Sequence, residues 1–407
     1  MTTEEAQRRT SGVSATTATS TGEFGIANPA RSTAWAGAVQ AGARVLPEHA
    51  RSHNRALVLQ ALFRAEGLSR ADLAREVGLT RVTISDLISD LINENLVIEL
   101  GVRTDSRPGK PATMLDINRN GFVVVGLDLS FNSRFRGAVT NLDGTVLHRE
   151  ELDVTGVTGT EAVEATALIL ERLVAAATAP ILGVGVGSPG IVDATGTVLS
   201  APNLGWKDLP LQQILSMRAQ LPVQVANDAN IAALAERTFG GGGADMMLVR
   251  AGRGVGSGLI VGGQQVYGSG SAAGEIGHVM VGTDGGDTCV CGKSGCLETW
   301  LAIPRIEARL ANATTEAERE AILREAGERL GIATAPIVGA LNLGEVVLSG
   351  PSELIDGPLI AAAADTLRDR TMAEFVGDLS VRMTTLGRDI IVLGAVVMVL
   401  TGQLGVY

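Results

Sequence analysis

Twice in this chain the same order of elements is written out. From Gly121 the runs FVVVGLDLS, RGAVTNL and VLHREELDV read as three strands, the last two joined by the tight turn Asp143-Gly144. A helix over 161–177, the strand ILGVGVGSPGIV, a second helix, the strand PVQVAND and a helix from Asn230 follow. Near Met246 the order restarts. MMLVRAGRGVGSGLIVGG again gives strand, glycine turn and strand, and EVVLSG and LSVRMTTL each come after a helix further on. A glycine-punctuated meander followed by helix–strand alternation, made twice, predicts a duplicated α/β fold. Its lobes, 121–235 and 236–388, should enclose a cleft, and ligands of such folds sit there, at the carboxyl ends of strands. The apolar run Ile390–Leu400 is about half a membrane span, so a buried helix is expected, with 389–407 packing back on the first lobe and no membrane partner.

Residues 50–118 have another texture. Arg55–Ala65 reads as a helix stopped by Gly67, and Ser69 stands three residues before Asp72, the capping-box spacing that opens a short helix over 70–77. After Gly78, Thr80 can cap a third helix in which Ile84, Leu87, Ile88, Leu91 and Ile92 face inward. The strand-like runs LVIEL and TMLDI then flank GVRTDSRPGKPA. Helix, short helix, glycine turn, longer helix and hairpin is the order of a winged helix-turn-helix, whose second motif helix enters the major groove of DNA. Thr80, Arg81, Thr83 and Ser85 are the candidate groove residues, and Arg103, Arg107 and Lys110 in the wing are the candidate phosphate or minor-groove contacts. The alternative is a small helical bundle with no part in DNA binding.

Net charge bears on that choice only when it is divided. The chain carries −11 overall, yet residues 1–120 hold 14 Lys/Arg against 13 Asp/Glu, so the acidity belongs to the remainder. Residues 1–45, rich in Thr, Ser, Ala and Gly, show no sustained apolar period and read as a disordered arm. No early run has the form of a signal peptide, and three cysteines in 407 residues fit a reducing cytoplasm rather than a disulfide framework.

All three cysteines fall in one glycine-rich loop, Cys289, Cys291 and Cys296, with His278 eleven residues upstream. Three thiolates and an imidazole complete a tetrahedral Zn2+ shell, and a closed shell of four protein ligands leaves no position for metal-bound chemistry. The alternative is three free cysteines that happen to cluster. A structural zinc is the expectation.

GEIGH followed by C-x-C-G-x-x-G-C-L-E resembles the signature of the ROK family, which groups sugar-responsive transcriptional repressors with sugar kinases. The likeness extends over residues 50–407. Ala226-Asn227-Asp228-Ala229-Asn230 is similar to the family segment carrying the kinase base. Ser188-Pro189-Gly190 and Pro202-Asn203-Leu204 resemble its sugar-pocket loops, VVLSGP its nucleotide-side strand, and R-P-G-K-P-A the wing of its repressor branch. The resemblance implies a two-lobe, actin-like and ribonuclease-H-like body behind a winged helix-turn-helix. It further implies a sugar pocket formed by Ser188, Asn203, Asn227, Asp228, Glu275, His278 and Glu298.

Kinases of the family carry a D-x-G-G-T type loop after the first strand, because glycines let backbone N–H groups close on phosphate. Here Asp128 is followed by Leu129, Ser130, Phe131, Asn132, Ser133 and Arg134, with both glycines gone, while Gly252, Gly254, Gly256 and Gly258 persist in the second turn beside Arg253. The expectation is therefore a sugar-gated repressor, a homodimer or dimer of dimers on operator DNA, with no enzymatic activity. The alternatives are an ATP-dependent hexose kinase with Asp228 as base and a protein-interaction platform with a vestigial pocket.

Overall fold

In the computed structural model the described residues are 47–65, 67–102, 112–131, 133–282, 286–372 and 379–406. The expected arm over 1–45 and the wing residues Arg103, Arg107 and Lys110 lie outside them. Three helices open the described chain, α1 (Pro47–Arg64), α2 (Arg70–Val77) and α3 (Arg81–Asn93), with a two-residue strand β1 (Leu68–Ser69) between the first pair. An antiparallel ladder of β2 (Val97–Val102) and β3 (Thr113–Ile117) follows, and β1 adds to β3. Local chemistry fixes the joints. Ser69 and Asp72 close a reciprocal capping box, Gly78 ends α2 at φ +70°, and Thr80 Oγ1 accepts from the Thr83 N–H at the start of α3. Ile84, Leu87, Ile88 and Leu91 are buried and Ile92 packs at the edge of the same cluster.

The body repeats one sheet twice. Strands β4 (Val123–Asp128), β5 (Arg134–Thr140) and β6 (Val146–Asp153) form an antiparallel meander. Then come α4 (Gly159–Ala175), β7 (Ile181–Ser188), a small sheet of β8 (Ile191–Val192), β9 (Val198–Ala201) and β10 (Trp206–Leu209), α5 (Leu211–Ala219) and β11 (Val223–Asn227). Sheet order is β11-β7-β4-β5-β6, with β7 parallel to both β4 and β11. The second sheet is built from β12 (Met246–Ala251), β13 (Val255–Val261), β14 (Gln264–Val266), β15 (Glu345–Ser349) and β16 (Ser380–Met383), in the order β14-β13-β12-β15-β16. Position for position this is the first sheet again: meander on one side of the founding strand, two parallel strands on the other. The helices of this half are α7 (Glu298–Leu301), α8 (Ile303–Leu310), α9 (Glu316–Leu341), α10 (Ser352–Ile355) and α11 (Pro358–Arg370).

Two helices join the halves. The helix α6 (Asp228–Phe239) leaves the first sheet and packs on β12 and β13 of the second, whereas α12 (Ile390–Leu404) leaves the second sheet and packs on β4 and β7 of the first. They cross one another where Ile231, Ala232 and Ala235 meet Ile390, Ile391 and Ala395. The crossing requires glycine: a Cβ at Gly394 would lie 2.1 Å from the Ile231 carbonyl oxygen, and one at Gly185 would lie 2.4 Å from that of Ala395. Residues 387–404 are long and apolar enough to cross a membrane by composition, yet Ile390 through Val397 and Val399–Leu400 lie largely in the core. Further along, Val396, Val399, Leu400, Leu404 and Val406 share a buried cluster with Val58, Leu59 and Leu62 of α1.

Candidate functional site

The founding strands of both sheets end at a cleft of about 1040 Å3, lined among others by Asp128, Phe131, Asn203, Arg250, Ser349 and Ile391. Arg250 is the one charged residue in the otherwise apolar strand MMLVRA, and it is buried apart from 14% of its side chain. A guanidinium there requires partners, since an unpaired buried charge is expensive. Its Nη1 donates to Asp228 Oδ2 at 3.1 Å and its Nη2 donates to Ser130 Oγ at 2.7 Å. Ser130 is held in turn by Asp128, whose Oδ1 accepts from both the backbone N–H and the hydroxyl of Ser130. Phe131 stacks between cations, its ring centroid 4.3 Å from Arg136 and 5.6 Å from Arg250. Arg134, which could have faced phosphate, pairs with Glu151 at 2.9 Å.

Asp228 is the first residue of α6, with Asn227 as its N-cap. The Asn227 Oδ1 accepts from Asn230 N at 2.9 Å, and its Nδ2 donates to the Gly190 carbonyl at 2.7 Å, so the expected sugar amide also fastens the 188–190 loop to the helix. Ser188, fully buried, sits opposite Asn227 in the β7–β11 register. Burial raises the Asp228 carboxyl above the usual carboxylate range; Arg250 opposes that shift and Asp128 adds to it. Glu275 is likewise raised, mainly by burial, with His278 opposing and Asp228 and Glu298 adding. Asp228, His278 and Glu298 thus lie within electrostatic reach of Glu275. Glu298 opens α7, where its Oε2 accepts from Val255 N at 3.2 Å, and it lines a smaller cavity of about 240 Å3 beside Arg253 and Cys289. Asn203 is exposed and lines the large cleft, whereas Ser188, Asn227, Asp228, Glu275 and His278 do not. Carboxylates and amides arranged in this way can accept and donate to the hydroxyls of a polyol.

His278, Cys289, Cys291 and Cys296 offer ligand atoms that all lie within 4.8 Å of one another. The Cys291 and Cys296 sulfurs are 3.7 Å apart, and the Cys289 sulfur is 3.5 Å from His278 Nδ1. A zinc tetrahedron with ordinary bond lengths has S–S and S–N edges of about 3.8 and about 3.6 Å, so this donor set fits a tetrahedral divalent ion. The loop returns through Cys289 N–H to the Lys293 carbonyl at 2.8 Å, with Gly292 at φ +84° and Gly295 at φ +75°. Burial raises the Cys289 thiol and pushes Cys296 up to about 12, whereas backbone hydrogen bonding from Lys293 lowers exposed Cys291. A bound cation would hold all three as thiolates, releasing their protons.

On the first three helices, Arg81 and Ser85 are exposed and Thr83 is half-buried. The hydroxyls are largely committed at home: Ser85 donates to the Arg81 carbonyl, Ser89 to the Ser85 carbonyl, and Thr80 and Thr83 share a bond at 2.9 Å. Val82 is left 72% exposed beside Arg81, a branched apolar side chain at a helix start that the described residues leave largely uncovered.

Sequence reasoning missed Arg250 and Ser130. The signal for Arg250 was available, because one charge inside an apolar strand must find a buried partner; the signal for Ser130 was not, since only the fold brings it to Arg250.

Residues 124–401 match the ROK family. The xylose repressor of Caldicellulosiruptor bescii is 28% identical over 386 residues, covering 86% of this chain and 96% of that protein. A glucokinase of Halalkalibacterium halodurans is 42% identical over 158 residues, 38% of this chain and 48% of the enzyme. Among solved structures, a ROK family transcriptional regulator, a homolog of the Escherichia coli MLC protein, superposes with a TM-score of 0.77 at 23% identity, covering 88% of this chain and 98% of that one.

Proposed function

The chain belongs to the ROK family, and we propose that it is a sugar-responsive DNA-binding repressor of carbohydrate uptake or catabolism genes. The observation that carries this reading is the direct packing of the N-terminal three-helix head onto α12, the helix whose first turn lines the interlobe cleft. A sugar held by Ser188, Asn203, Asn227, Asp228, Glu275, His278 and Glu298 would favour one lobe arrangement, shift α12, and re-space two heads in a homodimer on a near-palindromic operator. Thr80, Arg81, Thr83 and Ser85 would meet base edges and phosphates in the major groove, with Arg103, Arg107 and Lys110 of the wing on phosphates or in the minor groove. Sugar binding then lowers operator affinity and relieves repression. The repressor relatives of this family suggest an aldose such as xylose as effector, and the setting is cytoplasmic. Zn2+ at His278, Cys289, Cys291 and Cys296 would be structural, ordering the loop that carries Glu275 before it and Glu298 after it.

The similarity to glucokinases supports a second reading, an ATP-dependent hexose kinase with Asp228 as base. Arg250 weighs against it, because its guanidinium already holds Asp228 and reaches across to the loop where a nucleotide phosphate would approach. The deciding experiment titrates the purified protein against DNA from upstream of its own gene, with and without D-xylose and D-glucose. Salt-sensitive binding weakened by one sugar is expected. Absence of DNA binding at low salt, together with ATP-dependent sugar phosphorylation lost in Asp228→Ala, would replace the repressor with the kinase.

A further inference from the structure

Arg250 joins three parts of the molecule, reaching Asp228, 22 residues before it, and Ser130, 120 residues before it. It stands at the end of β12 in the second sheet, Asp228 stands at the head of the crossing helix α6, and Ser130 stands in the loop after β4 of the first sheet. Of two buried carboxylates, Asp228 pairs with this cation directly, and Asp128 is linked to it through Ser130. Arg250 also lines the large cleft, whereas Asp228 does not. A phosphate seated on the first-strand loop would have to take Ser130 away from it. A sugar hydroxyl approaching Asp228 instead meets a carboxylate already held in place by the guanidinium.

We propose that Arg250 is a positioning residue that does internally what a nucleotide would do between the lobes. It fastens the first-strand loop to Asp228, so that the cleft closes on a neutral sugar without a nucleotide. The proposal rests on the sugar-cleft reading and adds to it the residue that makes nucleotide unnecessary. Two links hold the tie, one charged and one neutral. The charged link supports Asp228 as a hydrogen-bond acceptor, and the neutral link, Arg250 to Ser130, ties the end of β12 to the loop after β4 of the first sheet. Removing the guanidinium leaves the buried Asp228 without its cation and beside the like charge of Asp128, which favours its protonated form and weakens it as an acceptor for the ligand.

Calorimetry with D-xylose and D-glucose on the full-length protein tests the tie. In the wild type the affinity for the sugar that binds should change less than about twofold when ATP and Mg2+ are added. Arg250→Met should weaken that sugar by tenfold or more, and Arg250→Lys should recover most of the loss, because charge rather than bulk is what Asp228 requires. Ser130→Ala leaves the Arg250–Asp228 pair in place and should still weaken the sugar about threefold, which keeps the test alive if Arg250→Met fails to fold. Sugar binding in Arg250→Met or Ser130→Ala as tight as in the wild type would overturn the proposal, as would a lysine variant no better than methionine. A wild type that binds neither sugar would instead strike the sugar-cleft reading itself.

Discussion

Single side chains decide what each site can do, and the cysteine loop illustrates it. Cys291 is exposed, while Cys289 and Cys296 are buried, and their sulfurs with a ring nitrogen of His278 lie within 4.8 Å of one another, close enough to share one cation. Metal analysis should find about one zinc per chain, and Cys291→Ser should lose it and lower the thermal midpoint; a metal-free native protein of undiminished midpoint would refute the site. On α3 the contrast between Arg81 and Val82 is equally specific. With the neighbouring hydroxyls bonded to their own helix, these two are the side chains with reach to spare. Arg81→Ala should weaken operator binding about tenfold or more, on the scale of a lost bidentate base contact. Val82→Ala should cost about threefold, and only where a thymine methyl lies opposite, which replacing thymine by uracil in the operator would reveal. The Cys/His set was legible in the sequence because four unusual residues lay within a short span. Arg250 with Ser130 was not, because a pair 120 positions apart has no local signature.

At the scale of elements, the crossing helices hold the halves together by contact too close for any Cβ. Gly394→Val would drive a side chain into the Ile231 carbonyl and should destabilise the fold by about 3 kcal/mol or lead to insoluble protein, read from the thermal midpoint and soluble yield. The first turn of α12 is also tethered electrostatically. Asp389 accepts two bonds from Arg149 of β6, at 2.6 and 2.8 Å, and these hold its carboxyl below the usual range, with Arg388 and Arg136 adding. A folded-state pKa below the unfolded one contributes stability at neutral pH that disappears as pH falls through the folded value. Asp389→Asn should therefore lower the midpoint by about 1–3 °C at pH 7, and the difference from wild type should narrow as pH falls below the ordinary aspartate value of about 3.9. Element positions were largely readable from periodicity and punctuation. TMLDI and EVVLS fall where expected, and α6 begins at Asp228, two residues before the expected Asn230, because the Asn227 cap lies in the strand-like run. The small sheet of β8, β9 and β10 was not foreseen, since strands of two to four residues lack a period to detect.

For the molecule as a whole, duplication explains both the cleft and its asymmetry. Two copies of one sheet place two founding-strand ends face to face. One end now carries Asp128 with Ser130 and Phe131, and the other carries Arg250 above a glycine turn. The duplicated order was visible in the sequence as a restart near Met246. The exchange of helices between sheets was not, because an apolar helix does not say which sheet it will cover. If the head is the DNA-binding part, the acidic body should contribute repulsion rather than contact, and operator affinity should fall steeply with salt. Lys110→Ala should flatten that dependence by about one unit of slope.

That exchange also governs how the protein is made. The first sheet and the head both complete their cores against α12, so on the ribosome nearly half of the chain must wait, partly uncovered, until residues 390–406 have emerged. A premature stop anywhere before Ile390 would leave a head without its floor. Nonsense alleles of this gene should therefore behave as simple nulls, never as truncated proteins locked on their operators.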